Sequence, residues 1–320
     1  MKFKLTNLSY FVAVAAIMFG TPTSIAAQPP ARPVRAVHLA ELQLQVLLDR
    51  ANFSPGQIDD ENGKNSREAL VAFEPARGIA PGARSRHAAL AALGAGSVKS
   101  IVSYTITPED AAGPFLKTIP EDATEQSKLP GLYYTSILEE LGAKFHSAPT
   151  LLKRLNLRAR FVAGERIRVP NVLVAKQAEP GPAGAVKIVV FKKASVLLVY
   201  DQEGRVIFYA PVTSGSDHDP LPFGNWVIED VVRNPTYNYN PDLFWDANPA
   251  NAKVKIAAGP NNPVGLVWMG INVPHYGIHG TPDAEEIGHS QSHGCVRLTN
   301  WDAIRVADLV RDGTPVVFQE

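Results

Sequence analysis

The single thiol of this 320-residue chain, Cys295, lies in the run Ser292-His293-Gly294-Cys295-Val296-Arg297, and His279-Gly280 stands upstream of it. Cysteine flanked by histidine, glycine and arginine is the residue set of an activated nucleophile. The sulfur attacks an acyl carbon, an imidazole takes the proton, and backbone amides hold the oxyanion. A free thiol titrates near about 8.5, and a neighbouring imidazole can lower that value substantially. An imidazole beside Cys295 is therefore the first requirement, and His279, His293, His289 and His275 are the candidates. His293 shares the face of Cys295 if the segment is extended. His279 closes an expected strand whose end could lie beside that of Cys295. Gly294 permits the close backbone approach that oxyanion donors need.

Two other readings of these residues compete. A lone cysteine is often a buried packing residue, but its His, Gly and Arg neighbours favour the nucleophile. A zinc site could join His275 and His279, at i and i+4, with Cys295 as a soft ligand. That spacing unites two side chains only on a helix, whereas Pro274 and Gly277 favour strand and turn, so neither metal nor cofactor is expected. His38, His87, His146 and His218 read as surface or capping residues.

The elements that must position Cys295 are β-strands. Apolar, β-branched and aromatic runs recur at residues 186–191, 195–200, 205–212, 226–232, 266–271, 277–280, 296–298 and 315–318. Thr299 and Asp302 form a capping-box-like start to a helix carrying Ile304, Ala307 and Leu309. This gives a mainly β domain over residues 185–320, large enough for its own core. Glu179-Pro180-Gly181-Pro182-Ala183-Gly184 is a turn-rich connector ahead of it. Upstream, residues 39–48 read as a helix with Leu44, Leu47 and Leu48 on one face. Ser66 could cap a second helix, which Pro75 would end. Residues 101–106 read as a strand, 134–145 and 149–155 as helices, and 166–169 as a closing strand. The expected architecture is multidomain, with N-terminal α-helical and α+β modules preceding a β-sandwich-like domain.

Composition narrows the class. The 45% hydrophobic content supports packed cores, and 31 Lys plus Arg balance 31 Asp plus Glu. Zero net charge argues against a general nucleic-acid binder. Lys2 and Lys4, the apolar run at residues 11–19 and Ser24-Ile25-Ala26 form an export signal, expected over residues 1–27. The apolar run is too short to span a membrane, so no transmembrane anchor is expected after signal removal. The mature chain is expected in the periplasm or otherwise outside the cytoplasm, where one thiol has no internal disulfide partner.

Ile278-His279-Gly280-Thr281 followed by Ser292-His293-Gly294-Cys295-Val296-Arg297-Leu298 resembles the signature of the L,D-transpeptidase catalytic domain (YkuD-like) family. Pro220-Leu221-Pro222-Phe223-Gly224, Asn234-Pro235-Thr236-Tyr237 and residues 259–265 support the resemblance. It implies a β-sandwich-like catalytic fold and cell-wall peptide chemistry. Carried over residue by residue, Cys295 is the nucleophile, His279 its base, and the Gly280 carbonyl orients His279. Amides around His293, Gly294 and Cys295 form the oxyanion hole, while Arg297 and Ser292 bind substrate. The Cys would attack the carbonyl joining diaminopimelate to D-Ala in a peptidoglycan stem peptide. An amine would then resolve the thioester, from a second stem peptide, a lipoprotein lysine or a free D-amino acid. A hydrolase of the same fold and a non-enzymatic wall-binding protein are the alternatives.

Upstream, residues 37–95 resemble a peptidoglycan-binding-type helical domain through Leu42-Gln43, Leu48, Ile58-Asp59, Ser66, Ala69, Leu70, Phe73 and Gly78-Ile79. Asp60 and Glu74-Pro75 depart from that pattern. Residues 100–175 are similar to a LysM module in their order of elements, interrupted by a long insertion at 111–133.

Overall fold

The computed structural model describes residues 35–80, 82, 84–172, 186–247 and 251–320, and Arg35–Glu320 form one compact unit. The expected export signal and the connector over 179–184 lie outside the described residues. Among the described residues no helix is long and apolar enough to cross a membrane.

The N-terminal part contains α1 (Leu39–Arg50), α2 (Lys64–Ala76), α3 (Ser85–Ala92), β1 (Ile101–Thr105), α4 (Pro108–Ala112), α5 (Ala123–Gln126), α6 (Ile137–Lys144), α7 (Pro149–Leu155) and β2 (Arg166–Pro170). The C-terminal part contains β3 (Lys187–Phe191), β4 (Val196–Tyr200), β5 (Val206–Pro211), β6 (Thr213–Ser214), β7 (Gly224–Arg233), β8 (Tyr237–Tyr239), β9 (Val254–Ile256), β10 (Val267–Ile271), β11 (Gly277–Thr281), β12 (Val296–Thr299), α8 (Asn300–Leu309) and β13 (Pro315–Gln319). Short 3-10 turns occur at Pro241–Leu243 and Ala284–Glu286.

The C-terminal part is mainly β. Nine strands form one sheet in the order β5-β4-β3-β13-β7-β10-β11-β12-β6, and β8 pairs with β9 apart from it. Alternation along each strand decides what is buried. Ile188 and Val190, Leu197 and Val199, Val267 and Met269, Val296 and Leu298, and Val316 and Phe318 enter one core, which Ala303, Val306 and Ala307 of α8 close. Thr299 caps α8, its hydroxyl accepting the Asp302 amide at 3.2 Å.

In the N-terminal part, α1 departs from the one-faced helix expected of it. Leu42 and Val46 pack with Ile58, α6 and α7, while Leu44 and Leu48 pack with Phe53, Phe73 and the sheet residues Val196 and Tyr209. A helix caught between two cores is apolar on both sides, so three-and-four spacing alone under-reports its burial. Its polar residues are buried as well, and each has partners. Gln45 Nε2 donates to Ser66 Oγ at 3.0 Å, and Gln45 Oε1 accepts the Asp60 amide at 2.9 Å. Ser66 is thus not the cap of α2, whose N-cap position is Gly63, and Pro75 lies inside that helix.

The two parts share backbone as well as side chains. Phe53 forms a parallel bridge to Tyr209 at the edge strand β5, with Ser54 N–H donating to Tyr209 O at 2.8 Å and Tyr209 N–H to Asn52 O at 2.9 Å. Residues 52–54 thereby cover a sheet edge that would otherwise be open for pairing. The 111–133 insertion reaches the β8–β9 side of the other part, where Leu132 N–H donates to Ala258 O at 3.0 Å and Asn261 N–H to Leu132 O at 2.9 Å.

Candidate active site

Strands β11 and β12 run parallel in the register Ile278↔Val296, His279↔Arg297 and Gly280↔Leu298. In-register residues on neighbouring strands share a face, and residues at i and i+2 share it too. Ile278, Val296 and Leu298 take the core face. His279 and Arg297 therefore project from the opposite face, and Cys295, at the mouth of β12, enters on the same side. Tertiary pairing between two sequence-distant strands thus brings His279, Cys295 and Arg297 together.

His279 is buried, and its Nδ1 lies 2.6 Å from the carbonyl oxygen of Gly280. Only an Nδ1–H can donate to a carbonyl, so Nε2 carries the free lone pair. Burial pushes the imidazole down to about 3, the Arg297 charge adds to the effect, and the Gly280 carbonyl opposes it. Gly280 is closely packed against Asn300. A Cβ at Gly280 would meet Asn300 Oδ1 at 2.3 Å, and that oxygen accepts the Leu266 amide at 2.9 Å. Asn300 Nδ2 donates onward to Pro260 O at 2.9 Å.

Cys295 is half-buried. Its Sγ–H rests on the His275 carbonyl at 3.6 Å, and no hydrogen bond joins it to His279. Burial pushes the thiol up from its ordinary value, while the Gly277 N–H and Arg297 oppose that shift. Desolvation disfavours the charged forms of both groups, so burial works against the imidazole-lowered thiol that the sequence suggests.

His293 does not share the face of Cys295. Gly294 between them has φ +100°, which breaks the alternation an extended run would have. A Cβ at Gly294 would also lie 2.6 Å from the Tyr276 ring. His293 turns outward, its Nε2 2.9 Å from Asp246 Oδ1. Ser292 donates its hydroxyl to the Cys295 carbonyl at 2.6 Å, so it braces the turn from within. The amides of His293, Gly294 and Cys295 have no acceptor among the described residues. Arg297 has a buried Nε without a partner among the described residues.

Metal ligation finds no support in the local geometry. His275 lies in a turn at φ +70°, His279 lies in a strand with Nδ1 engaged, and among the described residues no group of three His, Cys, Asp or Glu side chains could hold an ion. His146, expected at the surface, is instead half-buried, with Nδ1 2.9 Å from Asp49 Oδ2 and its ring 5.2 Å from that of Trp301.

Sequence reasoning missed several residues here. Trp268 pairs in register with His279 and stacks on it, with centroids 5.6 Å apart at 23°. Its signal was present, because Trp268 alternates with the core residues Val267 and Met269. Gly277 makes room for the indole, since a Cβ there would lie 2.7 Å from the Trp268 ring. Asn300 and Asp246 had no comparable signal. The Tyr237 phenol is pushed up to about 12, chiefly by burial.

Residues 185–318 match the L,D-transpeptidase catalytic domain family (YkuD). The "Putative L,D-transpeptidase YkuD" of Bacillus subtilis (strain 168) is 26% identical over 183 residues, covering 57% of this chain and 92% of that protein. The "Probable L,D-transpeptidase YbiS" of Escherichia coli (strain K12) is 28% identical over 240 residues, covering 72% of this chain and 73% of its own length. Among solved structures, an L,D-transpeptidase from Mycobacterium smegmatis aligns over 43% of this chain and 60% of its own, at 21% identity and a TM-score of 0.35.

Proposed function

We propose that this chain is an exported L,D-transpeptidase that acts on peptidoglycan stem peptides through a thioester on Cys295. The observation that carries this reading is the shared face of His279, Cys295 and Arg297, with the His279 tautomer set by Gly280. The free Nε2 can accept a proton, and the family match of residues 185–318 supplies the substrate class.

Burial raises the thiol, and its proton leaves as the bond to carbon forms. Sγ turns from the His275 carbonyl toward His279 and gives its proton to Nε2. The sulfur attacks the carbonyl carbon between diaminopimelate and D-Ala. The carbonyl electron pair moves to oxygen, which the amides of residues 293–295 stabilise. Collapse breaks the C–N bond, and His279 returns the proton to the departing amine of D-Ala. An acceptor amine then attacks the thioester and gives up a proton through His279, and the C–S bond breaks to restore the thiol. Arg297, with a planar fork of donors, suits a peptide carboxylate. The acceptor class is a second stem peptide or a lipoprotein lysine.

Intact-mass measurement of the purified enzyme with a stem tetrapeptide tests the reading. Wild type gains an acyl adduct and releases D-Ala, and Cys295→Ala does neither while remaining folded. Adduct decay that quickens with added amine marks a transferase, and decay indifferent to amine marks a hydrolase. D-Ala release by Cys295→Ala would overturn the nucleophile assignment.

A further inference from the structure

Two arms leave residues 240–247. On the first, Asp246 Oδ1 meets His293 Nε2 at 2.9 Å, and the His293 ring stands edge-on to Phe244, with centroids 5.1 Å apart at 90°. Only Gly294 separates His293 from Cys295. On the second, Phe244 stacks on Tyr239 at 5.8 Å, and Tyr239 packs on Tyr237 at 6.3 Å.

The backbone between these arms has little else to hold it. Gly294 occupies a left-handed region and carries no side chain. Ser292 fixes the inner side of the turn through the Cys295 carbonyl. On the outer side the described polar contact is the one from Asp246 to His293. This is also the stretch whose amides remain without acceptors.

We propose that Asp246 is a positioning residue for the reaction at Cys295, acting through His293 to hold the amides of residues 293–295 toward the developing oxyanion. This rests on the reading of Cys295 as an acyl-accepting nucleophile. The side chains of His293 and Asp246 are 30% and 47% exposed, and so open a pair contributes little to global stability. Oxyanion donors have far greater leverage on rate, since losing one costs about a hundredfold to a thousandfold in kcat. A contact that barely affects folding can therefore govern acylation.

The experiment compares wild type, Asp246→Ala and Asp246→Asn in two reactions of the same thiol. Acylation by a stem tetrapeptide builds an oxyanion, whereas alkylation by iodoacetamide does not. Asp246→Ala should lower the acylation rate at saturating donor by about tenfold or more. Its apparent donor affinity, alkylation rate and melting temperature should remain those of wild type. Asp246→Asn keeps an oxygen acceptor for the His293 Nε2–H and should recover most of the acylation rate. Wild-type acylation by Asp246→Ala would overturn the positioning role, as would Asn and Ala variants that are equally slow. A wild-type enzyme that forms no acyl adduct would overturn the reading of Cys295, and the role of Asp246 with it.

Discussion

Arg305 meets Asp49 through two nitrogens, Nη2 on Oδ1 at 2.8 Å and Nη1 on Oδ2 at 3.2 Å. Asp49 belongs to α1 and Arg305 to α8, the helix that follows the strand of Cys295. Asp49 is fully buried. Burial alone would raise its carboxyl, but His146 and Arg305 outweigh it and hold the group well below the usual carboxylate range. A charged pair therefore locks the N-terminal part against the helix behind the site.

Asp49→Ala leaves the Arg305 guanidinium buried without its partner. Breaking a buried pair in this way costs about 3–5 kcal/mol, which urea unfolding would read as a lower midpoint with little change in slope. Asp49→Leu combined with Arg305→Met removes both charges and should recover much of that loss. An Asp49→Ala midpoint equal to wild type would show that the pair does not hold the two parts together.

Asp302, fully buried in the same network, accepts hydrogen bonds from Ser54 Oγ at 2.7 Å and Thr299 Oγ1 at 2.8 Å. Burial raises its carboxyl to about 6; Asp49 adds to the shift and Arg305 opposes it. The unfolded value is about 3.9, so the native state binds more protons across the window between the two. Stability contributed by this group is full below about pH 4 and falls as pH rises through about 6. Asp302→Asn mimics the protonated form and lacks that loss. Its melting temperature relative to wild type should rise between about pH 4 and pH 6 and level off above that, and a flat difference across that window would refute the assignment.

The thiol of Cys295 should alkylate with a pH midpoint above that of an ordinary cysteine, because burial raises it. Arg297 opposes that shift, so Arg297→Ala should move the midpoint higher still. The same change should ease the depression of His279, to which the Arg297 charge contributes. Iodoacetamide rates followed by intact mass across pH would measure the first effect. A midpoint below the ordinary thiol range would instead indicate a resting thiolate–imidazolium pair.

Gly277→Ala should disturb the stack over the His279 imidazole. Its Cβ would meet the rigid Trp268 ring at 2.7 Å and the Met269 carbonyl at 2.9 Å. Overpacking of this kind costs about 1–3 kcal/mol, visible in thermal unfolding. Trp268→Leu in the same chain should relieve part of it by shortening the clashing side chain. Unchanged stability and acylation in Gly277→Ala would show that the indole moves freely.

The sequence by itself determined the chemistry-bearing residues and the period of the strands that carry them. One thiol beside His, Gly and Arg, with a second His-Gly upstream, is the residue set from which the proposed nucleophile was read. The alternation of Val267, Met269, Ile278, Val296 and Leu298 places the core on one face and the site on the other. Thr299 and Asp302 announce the start of α8 through local hydrogen bonding. These signals are legible because each depends on neighbours a few residues away.

Tertiary structure decided everything that depends on the register of distant segments and on loss of water. Only the parallel pairing of β11 with β12 sets His279 opposite Arg297. Only the left-handed Gly294 sends His293 toward Asp246 instead of the thiol. Burial raises Cys295 and depresses His279, where local sequence had suggested an activated thiolate. His146 reads as a surface or capping residue on its own segment, yet packing of α1 between two cores buries Asp49, which takes His146 and Arg305 as partners. Charge, desolvation and strand register act through space, and a run of residues records only what acts along the chain.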